Sequence, residues 1–484
     1  MKLTNFGDDA RIALENFGDF AAGFVNPNVR LGVTGLSRAG KTVFITALIH
    51  NLLHGGRLPF FSAVSEGRLS NAYLQPQPDH AVPRFAYEDH VDRLIDDLEW
   101  PQSTNRISQM RLTIDYESAS FLSRAVGGGR LHIDIIDYPG EWLLDLPLLT
   151  KDYETWSSEA LALAQLPNRQ KASKAWLEAV NGCDANDAID EPKAQELAKV
   201  FTTYLHDCRT DENALSLLPP GRFLMPGDLE GSPAVTFAPL QKPSGTPSRS
   251  SLWSLMEERY EAYKQIVIKP FFRDHFARLD RQIVLVDALQ ALNAGPAAVR
   301  DLEAAISEIL TCFRPGKASW LSSILSRRID KILFAATKAD HLHQSEHDKL
   351  EVLLEQLVSR AISQAQFAGA KVDVLALASV RATREAVFKD DGETLNCITG
   401  IPMAGEEIDG ISFDGETEKA IFPGSLDVEL GKILKQDDGD SYNELQFVRF
   451  RPPQLEKTME GLTLSLPHIR LDRALEFLLG DKME

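Results

Sequence analysis

The stretch VRLGVTGLSRAGKTV, residues 29–43, decides the fold. Its first half is a short apolar run that contains β-branched residues, and this composition predicts a buried strand. Its second half fits the pattern G-x-x-x-x-G-K-[ST], and the matching residues are Gly35, Gly40, Lys41 and Thr42. Apolar residues then recur at helical spacing from Val43 to Leu53, with no Pro or Gly among them. A strand, a glycine-containing loop and a helix in this order predict a phosphate-binding loop.

The residue types in this loop suit the binding of a polyphosphate. The two glycines allow a tight turn in which successive backbone N–H groups point at phosphate oxygens, and the N-terminus of the following helix adds positive potential. Lys41 is expected to contact the β- and γ-phosphates, and the Thr42 hydroxyl is expected to bind Mg²⁺. The residues predicted to surround the phosphates are Gly35, Ser37, Arg38, Ala39, Gly40, Lys41, Thr42 and Val43.

Length and charge limit the classes of function. With 484 residues, of which 44% are hydrophobic, the chain is long enough to bury more than one core. Its formal net charge of −19 opposes broad binding to nucleic acid, because such binding depends on neutralising phosphates. We therefore expect no nucleic-acid partner.

The cysteines and the N-terminus indicate the compartment. The four cysteines are far apart and form no C-x-x-C pair, so they suggest neither a disulfide framework nor a zinc site. This pattern is typical of proteins in a reducing compartment. No apolar run approaches the roughly 20 residues that span a bilayer. Asp8 and Asp9 stand where a signal peptide would be apolar. We expect a soluble, cytoplasmic protein, while peripheral association with the inner membrane or with a membrane protein stays open.

Strand patterns lie on both sides of a long helical stretch. Buried strands are predicted within residues 131–137, 281–289, 331–342 and 372–383, whereas residues 143–280 show helical patterns. This alternation predicts an α/β fold with a doubly wound, mostly parallel sheet, whose ligands bind at the carboxyl ends of the strands. The predicted divisions are an N-terminal helical segment (1–28), a nucleotide-binding core (29–145 and 281–391, with a loop and helix insert at 55–100), a helical insertion (146–280), a β-rich excursion (392–470) and a closing helix of the core (471–484).

A second short motif follows the strand that ends at Asp137. The sequence there is Asp-Tyr-Pro-Gly, residues 137–140. A carboxylate at the end of a strand beside a phosphate loop can hold a Mg²⁺-bound water, and the N–H of Gly140 can contact a γ-phosphate. The loop from Tyr138 to Trp142 is therefore expected to respond to the presence of that phosphate.

Four motifs now stand in order along the chain: GLSRAGKT, DYPG, TKAD and ALASVRAT. In this set the chain resembles a Ras-type GTPase core and, over its whole length, the YcjX-like family of bacterial P-loop NTPases. The resemblance implies a Ras-like fold, Mg²⁺ with GTP or GDP as the bound nucleotide, and an association with bacterial stress responses. The helical insertion is similar in architecture to the helical domain of Gα subunits, and we expect it either to cover the nucleotide or to respond to its state.

The resemblance also implies roles for residues in the TKAD motif. Asp340 would accept hydrogen bonds from the guanine ring, and Lys338 would lie over the base. Thr337 replaces the asparagine that is usual in this motif. Ser379 and Val380 stand where the last base-binding loop is expected, although the match there is shifted.

The residues that would support hydrolysis depart from the Ras pattern. Glu141 occupies the position of the glutamine that orients the attacking water. A carboxylate beside the γ-phosphate predicts slow hydrolysis unless Mg²⁺ and an arginine offset its charge, and Arg38 and Arg106 are the candidates. Thr104, with Ser103 as second choice, is the hydroxyl expected to reach Mg²⁺ from the first switch. The alternative is that both simply begin a strand.

These predictions favour a nucleotide-dependent GTPase switch that works with an unidentified protein effector or activator. Two alternatives stay open at this point. One is an ATPase on the same fold, and the other is a nucleotide-bound interaction module with negligible turnover.

Overall fold

The computed structural model describes most of the chain. The described residues are 27–36, 38–102, 104, 106–119, 129–210, 213–311, 329–367, 369–390, 393–426, 445, 447–455 and 465–484. The predicted N-terminal helical segment up to residue 26, Ser37 in the phosphate loop and Ser103 lie outside them.

A seven-stranded sheet forms the centre of the fold, in the order β2-β3-β4-β1-β5-β6-β7. Its strands are β1 (Asn28–Gly35), β2 (Leu69–Gln75), β3 (Ser108–Tyr116), β4 (Gly129–Asp137), β5 (Arg281–Val286), β6 (Lys331–Ala336) and β7 (Lys371–Ala376). β2 and β3 pair antiparallel, as do β3 and β4, and all other neighbours pair parallel. The carboxyl ends of β1, β4, β5, β6 and β7 therefore meet at one edge of the sheet.

Helices cover both faces of this sheet, as expected for strands that are apolar on both sides. The helices of this part are α1 (Lys41–Leu53), α2 (Ser62–Ser65), α3 (Tyr87–Ile95), α10 (Ala288–Ala294), α11 (Pro296–Thr311), α12 (His347–Leu357), α13 (Ser359–Phe367) and α14 (Leu471–Leu479). One apolar core contains α1 and α14, and another contains α10 to α13. The predicted doubly wound α/β fold of the P-loop type is confirmed.

Every regular element described between β4 and β5 is helical. The α-helices are α4 (Tyr153–Ala164), α5 (Gln170–Asn181), α6 (Glu191–Cys208), α7 (Gly221–Leu224), α8 (Leu252–Tyr263) and α9 (Lys269–Asp274), with a π-helical turn (Lys264–Ile268) between the last two. The 3₁₀ helices are Gly140–Thr150, Pro167–Arg169, Gly227–Leu229, Pro233–Val235 and Phe276–Arg278. Stacked aromatic rings stabilise the insertion. The ring centres of Trp156 and Tyr260 are 5.0 Å apart, and so are those of Trp176 and Tyr204. Aromatic pairs of this kind add to the energy of burial.

A buried ion pair joins the helical insertion to the sheet domain. Arg169 of the insertion contacts Asp301 of α11, and both side chains are almost fully buried. The Asp301 carboxylate also accepts hydrogen bonds from the backbone N–H groups of Ser216 and Leu217, at 2.6 and 2.8 Å. Because both side chains are buried, replacing either Arg169 or Asp301 would leave the charge of the remaining residue without its ionic partner.

The chain then forms small antiparallel sheets before it returns to the main domain. The strands are β8 (Arg384–Asp390), β9 (Glu393–Gly400), β10 (Glu407–Ile408), β11 (Ile411–Ser412) and β12 (Lys419–Ile421). β8, β9 and β12 form one sheet, while β10 pairs with β11. The division of the chain into domains stays a prediction, and β8 begins inside the range assigned to the core. Within the described residues, no helix combines the length and the apolar character needed to cross a bilayer.

Candidate nucleotide-binding site

The phosphate loop connects the end of β1 to the start of α1. Gly35 closes β1, and a Cβ on it would lie 2.7 Å from the backbone oxygen of Leu285 in the neighbouring strand, so only glycine fits there. Arg38 and Gly40 both adopt left-handed backbone conformations, with φ of 62° and 77°. No side chain caps the N-terminus of α1. Its first N–H groups are therefore suited to an anion.

Lys41 and Gly140 meet at the start of this loop. The Lys41 Nζ donates a hydrogen bond to the Gly35 carbonyl at 2.8 Å. A Cβ built on Gly140 would lie 1.7 Å from that same oxygen and 3.2 Å from the lysine Nζ. The glycine of the DYPG motif thus approaches the phosphate loop so closely that no side chain could be accommodated.

Three oxygen-bearing side chains lie together next to Lys41. The hydroxyls of Thr42 and Thr104 are 3.2 Å apart, and Thr104 donates a hydrogen bond to Asp137 Oδ2 at 2.5 Å. Burial raises the pKa of Asp137 to about 6, although the Thr104 hydroxyl and the Lys41 charge act in the opposite direction. The other oxygen, Asp137 Oδ1, is buried and has no hydrogen-bond partner among the described residues.

This cluster fits Mg²⁺. Mg²⁺ prefers hard oxygen ligands and is usually held by one or two carboxylates together with waters and substrate phosphates. The unpartnered oxygen of Asp137 would gain a partner from such a cation, directly or through a water. In the described part of the chain, no group of three or more His, Cys, Asp or Glu side chains could hold a metal ion by itself. The donor set therefore suits a Mg²⁺ ion that phosphate oxygens and waters also hold.

The TKAD residues lie at the end of β6. Thr337 donates to the Val286 carbonyl at 3.4 Å, so it contacts the neighbouring strand β5. Lys338 has a left-handed backbone with φ of 61°, and its Nζ lies 2.5 Å from Asp287 Oδ2. Asp340 is 4% exposed, and its Oδ2 accepts a hydrogen bond from the Ala382 N–H at 2.8 Å. Burial raises the pKa of Asp340 to about 6.

One cavity of about 660 Å³ connects the two groups of predicted residues. Its lining includes Arg38, Ala39, Gly40, Lys41, Thr42, Val43, Thr104, Thr337, Lys338, Asp340, Ser379 and Val380. The shifted ALASVRAT match therefore does bring Ser379 and Val380 to the base residues. A volume of this size is typical of cofactor sites.

The cavity is also lined by residues that sequence reasoning did not find. They include Trp100, Pro101, Met403, Glu406, Phe447, Val448, Arg449 and Phe450. No local pattern distinguishes these residues, because their approach to the cavity depends on contacts between distant parts of the chain.

Of the residues proposed for hydrolysis, Glu141 has an unexpected partner. Its Oε1 accepts a hydrogen bond from Arg209 Nη2 at 2.6 Å, and the Glu141 side chain is 5% exposed. Arg209 follows α6 in the helical insertion. Arg38 lines the cavity, and its pKa is lowered by burial and then by the nearby charges of Arg209 and Arg449. Arg106 is exposed and does not line the cavity, so the arginine that faces Glu141 is Arg209.

The segment after Gly140 is buried under the helical insertion. The Trp142 Nε1 donates to the Met225 carbonyl at 3.0 Å, and the Arg222 guanidinium lies 3.1 Å from the centre of the Trp142 ring. Asp145 accepts hydrogen bonds from the Gly221 N–H and the Tyr263 hydroxyl, both at 2.7 Å. No described residue from 146–280 lines the large cavity. The insertion thus contacts the segment that is predicted to respond to the γ-phosphate.

The buried carboxyl of Asp145 should make stability depend on pH. Burial raises its pKa to about 7, against about 4 in an unfolded chain. The stability that it contributes is complete below pH 4 and is lost as the pH rises through 7, because the folded state binds the proton more tightly. We compare the free energy of unfolding of Asp145→Asn with that of wild type at each pH. We expect this difference to shift in favour of the variant by on the order of 2 kcal/mol when the pH is raised from 5 to 8. Urea unfolding at both pH values checks this, and a constant difference would contradict it.

Comparisons with known proteins agree with this geometry. The profile of the YcjX-like family, DUF463, matches residues 29–483. A protein of Escherichia coli (strain K12) named "Ras-like GTPase YcjX" is 38% identical over 472 residues, which cover 95% of this chain and 97% of that protein. A protein of the same name from Shewanella oneidensis (strain MR-1) is 32% identical over 477 residues, which cover 94% of this chain and 95% of that protein. Since the profile and both relatives extend over nearly its whole length, the chain belongs to the YcjX-like family.

Proposed function

We propose that this protein binds GTP and GDP together with Mg²⁺, hydrolyses GTP slowly, and acts as a nucleotide-dependent switch. The observation that carries the proposal is the single cavity that has Lys41 and Thr42 at one end and Asp340 at the other. Two relatives named Ras-like GTPase support the choice of nucleotide. A role in bacterial stress responses is a further part of the proposal and depends on the family resemblance alone.

The choice of base depends on the chemistry of Asp340. Guanine presents two kinds of N–H donor, at N1 and at the 2-amino group, and a carboxylate can accept from both. Adenine lacks this pair, so the buried Asp340 would keep the Ala382 N–H but gain no donor from the base, at a cost of about 1–3 kcal/mol. Calorimetric titration with GDP and with ADP in magnesium buffer tests the proposal. Tighter binding of ADP would favour the alternative of an ATPase on the same fold.

The ion pair between Glu141 and Arg209 reduces the repulsion that the Glu141 carboxylate would otherwise exert on a bound triphosphate. With Arg209 at 2.6 Å, the negative charge of Glu141 is compensated inside the protein. An arginine supplied from within the same chain can also stabilise the charge that develops during phosphoryl transfer. We therefore include Arg209 among the residues that support binding of the triphosphate.

Removal of Arg209 should weaken GTP binding more than GDP binding. In Arg209→Ala the charge of Glu141 stays buried and unpaired, so we expect about tenfold weaker binding of a non-hydrolysable GTP analogue, and a smaller effect on GDP. The double variant Glu141→Gln/Arg209→Ala should recover most of the loss, because the two residues are coupled. Arg106→Ala is the matched control and should bind as wild type does. A loss in Arg106→Ala and none in Arg209→Ala would reverse the assignment.

The same ion pair also favours the alternative of an interaction module with negligible turnover. A Glu141 carboxylate that is held by Arg209 is less available to activate water. Phosphate release by the purified protein, with and without cell extract, separates a slow enzyme that needs an activator from a module that does not turn over. If Glu141 is the base, Glu141→Gln should lower phosphate release strongly, and an unchanged rate would remove that role.

A further inference from the structure

We infer that Trp100 and the segment Phe447–Phe450 belong to the nucleotide site, as a wall that closes over the base and controls how fast the nucleotide leaves. We call this segment the C-terminal wall. The inference rests on the proposed function, because it assumes that a guanine nucleotide occupies the cavity. Both parts line the same cavity as Lys338 and Asp340.

The C-terminal wall is held in place by a neighbouring strand-like segment. The Met403 N–H donates to the Arg449 carbonyl at 2.8 Å, and the Arg451 N–H donates to the Ile401 carbonyl at 2.8 Å. The Glu406 carboxylate accepts two further hydrogen bonds from Arg449, from the backbone N–H at 2.9 Å and from Nε at 2.6 Å. These bonds make the C-terminal wall a defined structure beside the cavity.

Phe450 packs the C-terminal wall against the base-recognition loop. Its side chain is buried, and its ring meets the ring of His341 edge to face at 5.3 Å. His341 directly follows Asp340 in the sequence. A Cβ on Gly400 would lie 2.8 Å from the Phe450 ring, so the ring is also confined from behind. The position of the C-terminal wall therefore depends on the loop that is proposed to bind the base.

Trp100 joins the C-terminal wall to the magnesium side of the site. Its Nε1 donates a hydrogen bond to the Phe450 carbonyl at 2.7 Å. A few residues further on, the Gln102 carbonyl accepts a hydrogen bond from the Thr42 hydroxyl at 3.3 Å, and Thr104 contacts Thr42 and Asp137. One short segment thus contacts the C-terminal wall at one end and the proposed Mg²⁺ ligands at the other.

This connection couples the two ends of one nucleotide. While Mg²⁺ and phosphate hold Thr104, Trp100 is kept beside Phe450 and the base cannot leave past the C-terminal wall. When those contacts are lost, Trp100 is released and the C-terminal wall can move away. Contacts that stabilise the closed arrangement at the phosphate end should therefore also slow dissociation at the base end.

The test is the dissociation rate of tritiated GDP from the full chain after addition of excess unlabelled GDP, with Mg²⁺ present. Trp100→Phe keeps an aromatic side chain, although a smaller one, and removes the N–H donor, so we expect dissociation about two- to tenfold faster. Glu406→Gln weakens the C-terminal wall from its other side and should also accelerate release. The matched control is Trp176→Phe, because the Trp176 indole N–H is buried and makes no hydrogen bond in the described part of the chain. Its rate should equal that of wild type.

Removal of Mg²⁺ with a chelator supplies the second readout. It should accelerate release more in wild type than in Trp100→Phe, where the link to the C-terminal wall is already broken. Wild-type rates in both Trp100→Phe and Glu406→Gln would overturn the inference while leaving the proposed function intact. Failure of the wild-type protein to retain any GDP would instead overturn the proposed function. Thermal unfolding of each variant shows that the rates come from folded protein.

Discussion

Replacement of Lys41 by alanine is expected to lower the affinity for GTP at least a hundredfold and to abolish measurable phosphate release. The Lys41 Nζ lies 2.8 Å from the Gly35 carbonyl and next to Gly140, so it is the charged donor positioned where the β- and γ-phosphates are expected. Charge-assisted hydrogen bonds to phosphate are about twice as strong as neutral ones. Loss of a single preorganised donor to a developing negative charge typically costs two to three orders of magnitude in rate. Titration with GTP, GDP and a non-hydrolysable analogue measures the loss.

The fold should survive this change. Lys41 is the first residue of α1, and within the described part of the chain its Nζ hydrogen-bonds to the Gly35 carbonyl at the end of β1. Alanine, a strong helix former, therefore replaces it without loss of a helical contact. Lys242→Ala is the control: it removes the same side chain from an exposed ion pair with Glu154 in the insertion. Its GTP binding should match wild type. If Lys41→Ala binds GTP as tightly as the control does, the phosphate loop does not bind polyphosphate and the proposed function fails.

The parts of the site that could be predicted are those built from neighbours in sequence. The phosphate loop from Gly35 to Thr42, the DYPG motif that starts at Asp137 and the TKAD motif that ends at Asp340 each consist of a strand end and the residues directly after it. The rule that parallel strands present their carboxyl ends at one edge of a sheet is enough to bring these three motifs together. Hence Arg38 to Val43, Lys338 and Asp340 line one cavity. Asp137 contacts Thr104 of its lining, and Gly140 approaches Lys41.

The parts that could not be predicted depend on contacts between distant residues. Sequence proximity to Thr104 suggested Arg106, yet that side chain is exposed, whereas Arg209 reaches Glu141 from the helical insertion. Trp100 likewise contacts Phe450 across most of the chain. Neither contact leaves a periodic or compositional signal in the sequence. Each is determined by how the insertion and the C-terminal segment pack on the sheet domain.

The position of the helical insertion relative to the site could not be predicted from the sequence. From sequence it could either cover the nucleotide or respond to its state. Its described residues contact the buried segment after Gly140 and do not line the large cavity. The residues that we propose to close over the base are Trp100 and the C-terminal wall instead. This arrangement supports a division of roles, in which the insertion responds to the γ-phosphate through Trp142 and Asp145 while the C-terminal wall retains the base.

Replacement of Asp340 by asparagine should change the base preference from guanine to xanthine. The carboxylate accepts the Ala382 N–H with one oxygen, and the amide oxygen of asparagine can keep that bond. The amide nitrogen then replaces the second oxygen, so a donor faces the position of the guanine 2-amino group. Guanine loses a hydrogen bond and meets a like donor, whereas the 2-oxo group of xanthine gains a partner. We expect the ratio of GDP to XDP affinity to fall by about two to three orders of magnitude.

Competition titrations with GDP and XDP measure this ratio, and their pH dependence supplies a second test of the same carboxyl. Since burial raises the pKa of Asp340 to about 6, protonation competes with guanine, and the affinity of wild type for GDP should fall as the pH drops through that value. In Asp340→Asn this dependence should be smaller, because Asp137 is then the remaining carboxyl of the site whose pKa burial raises to about 6. Asp348→Asn, at a side chain that is 85% exposed on α12, makes the same chemical change away from the cavity and should keep the guanine preference. An unchanged preference in Asp340→Asn would show that the base is recognised elsewhere, even if Lys41 binds the phosphates as proposed.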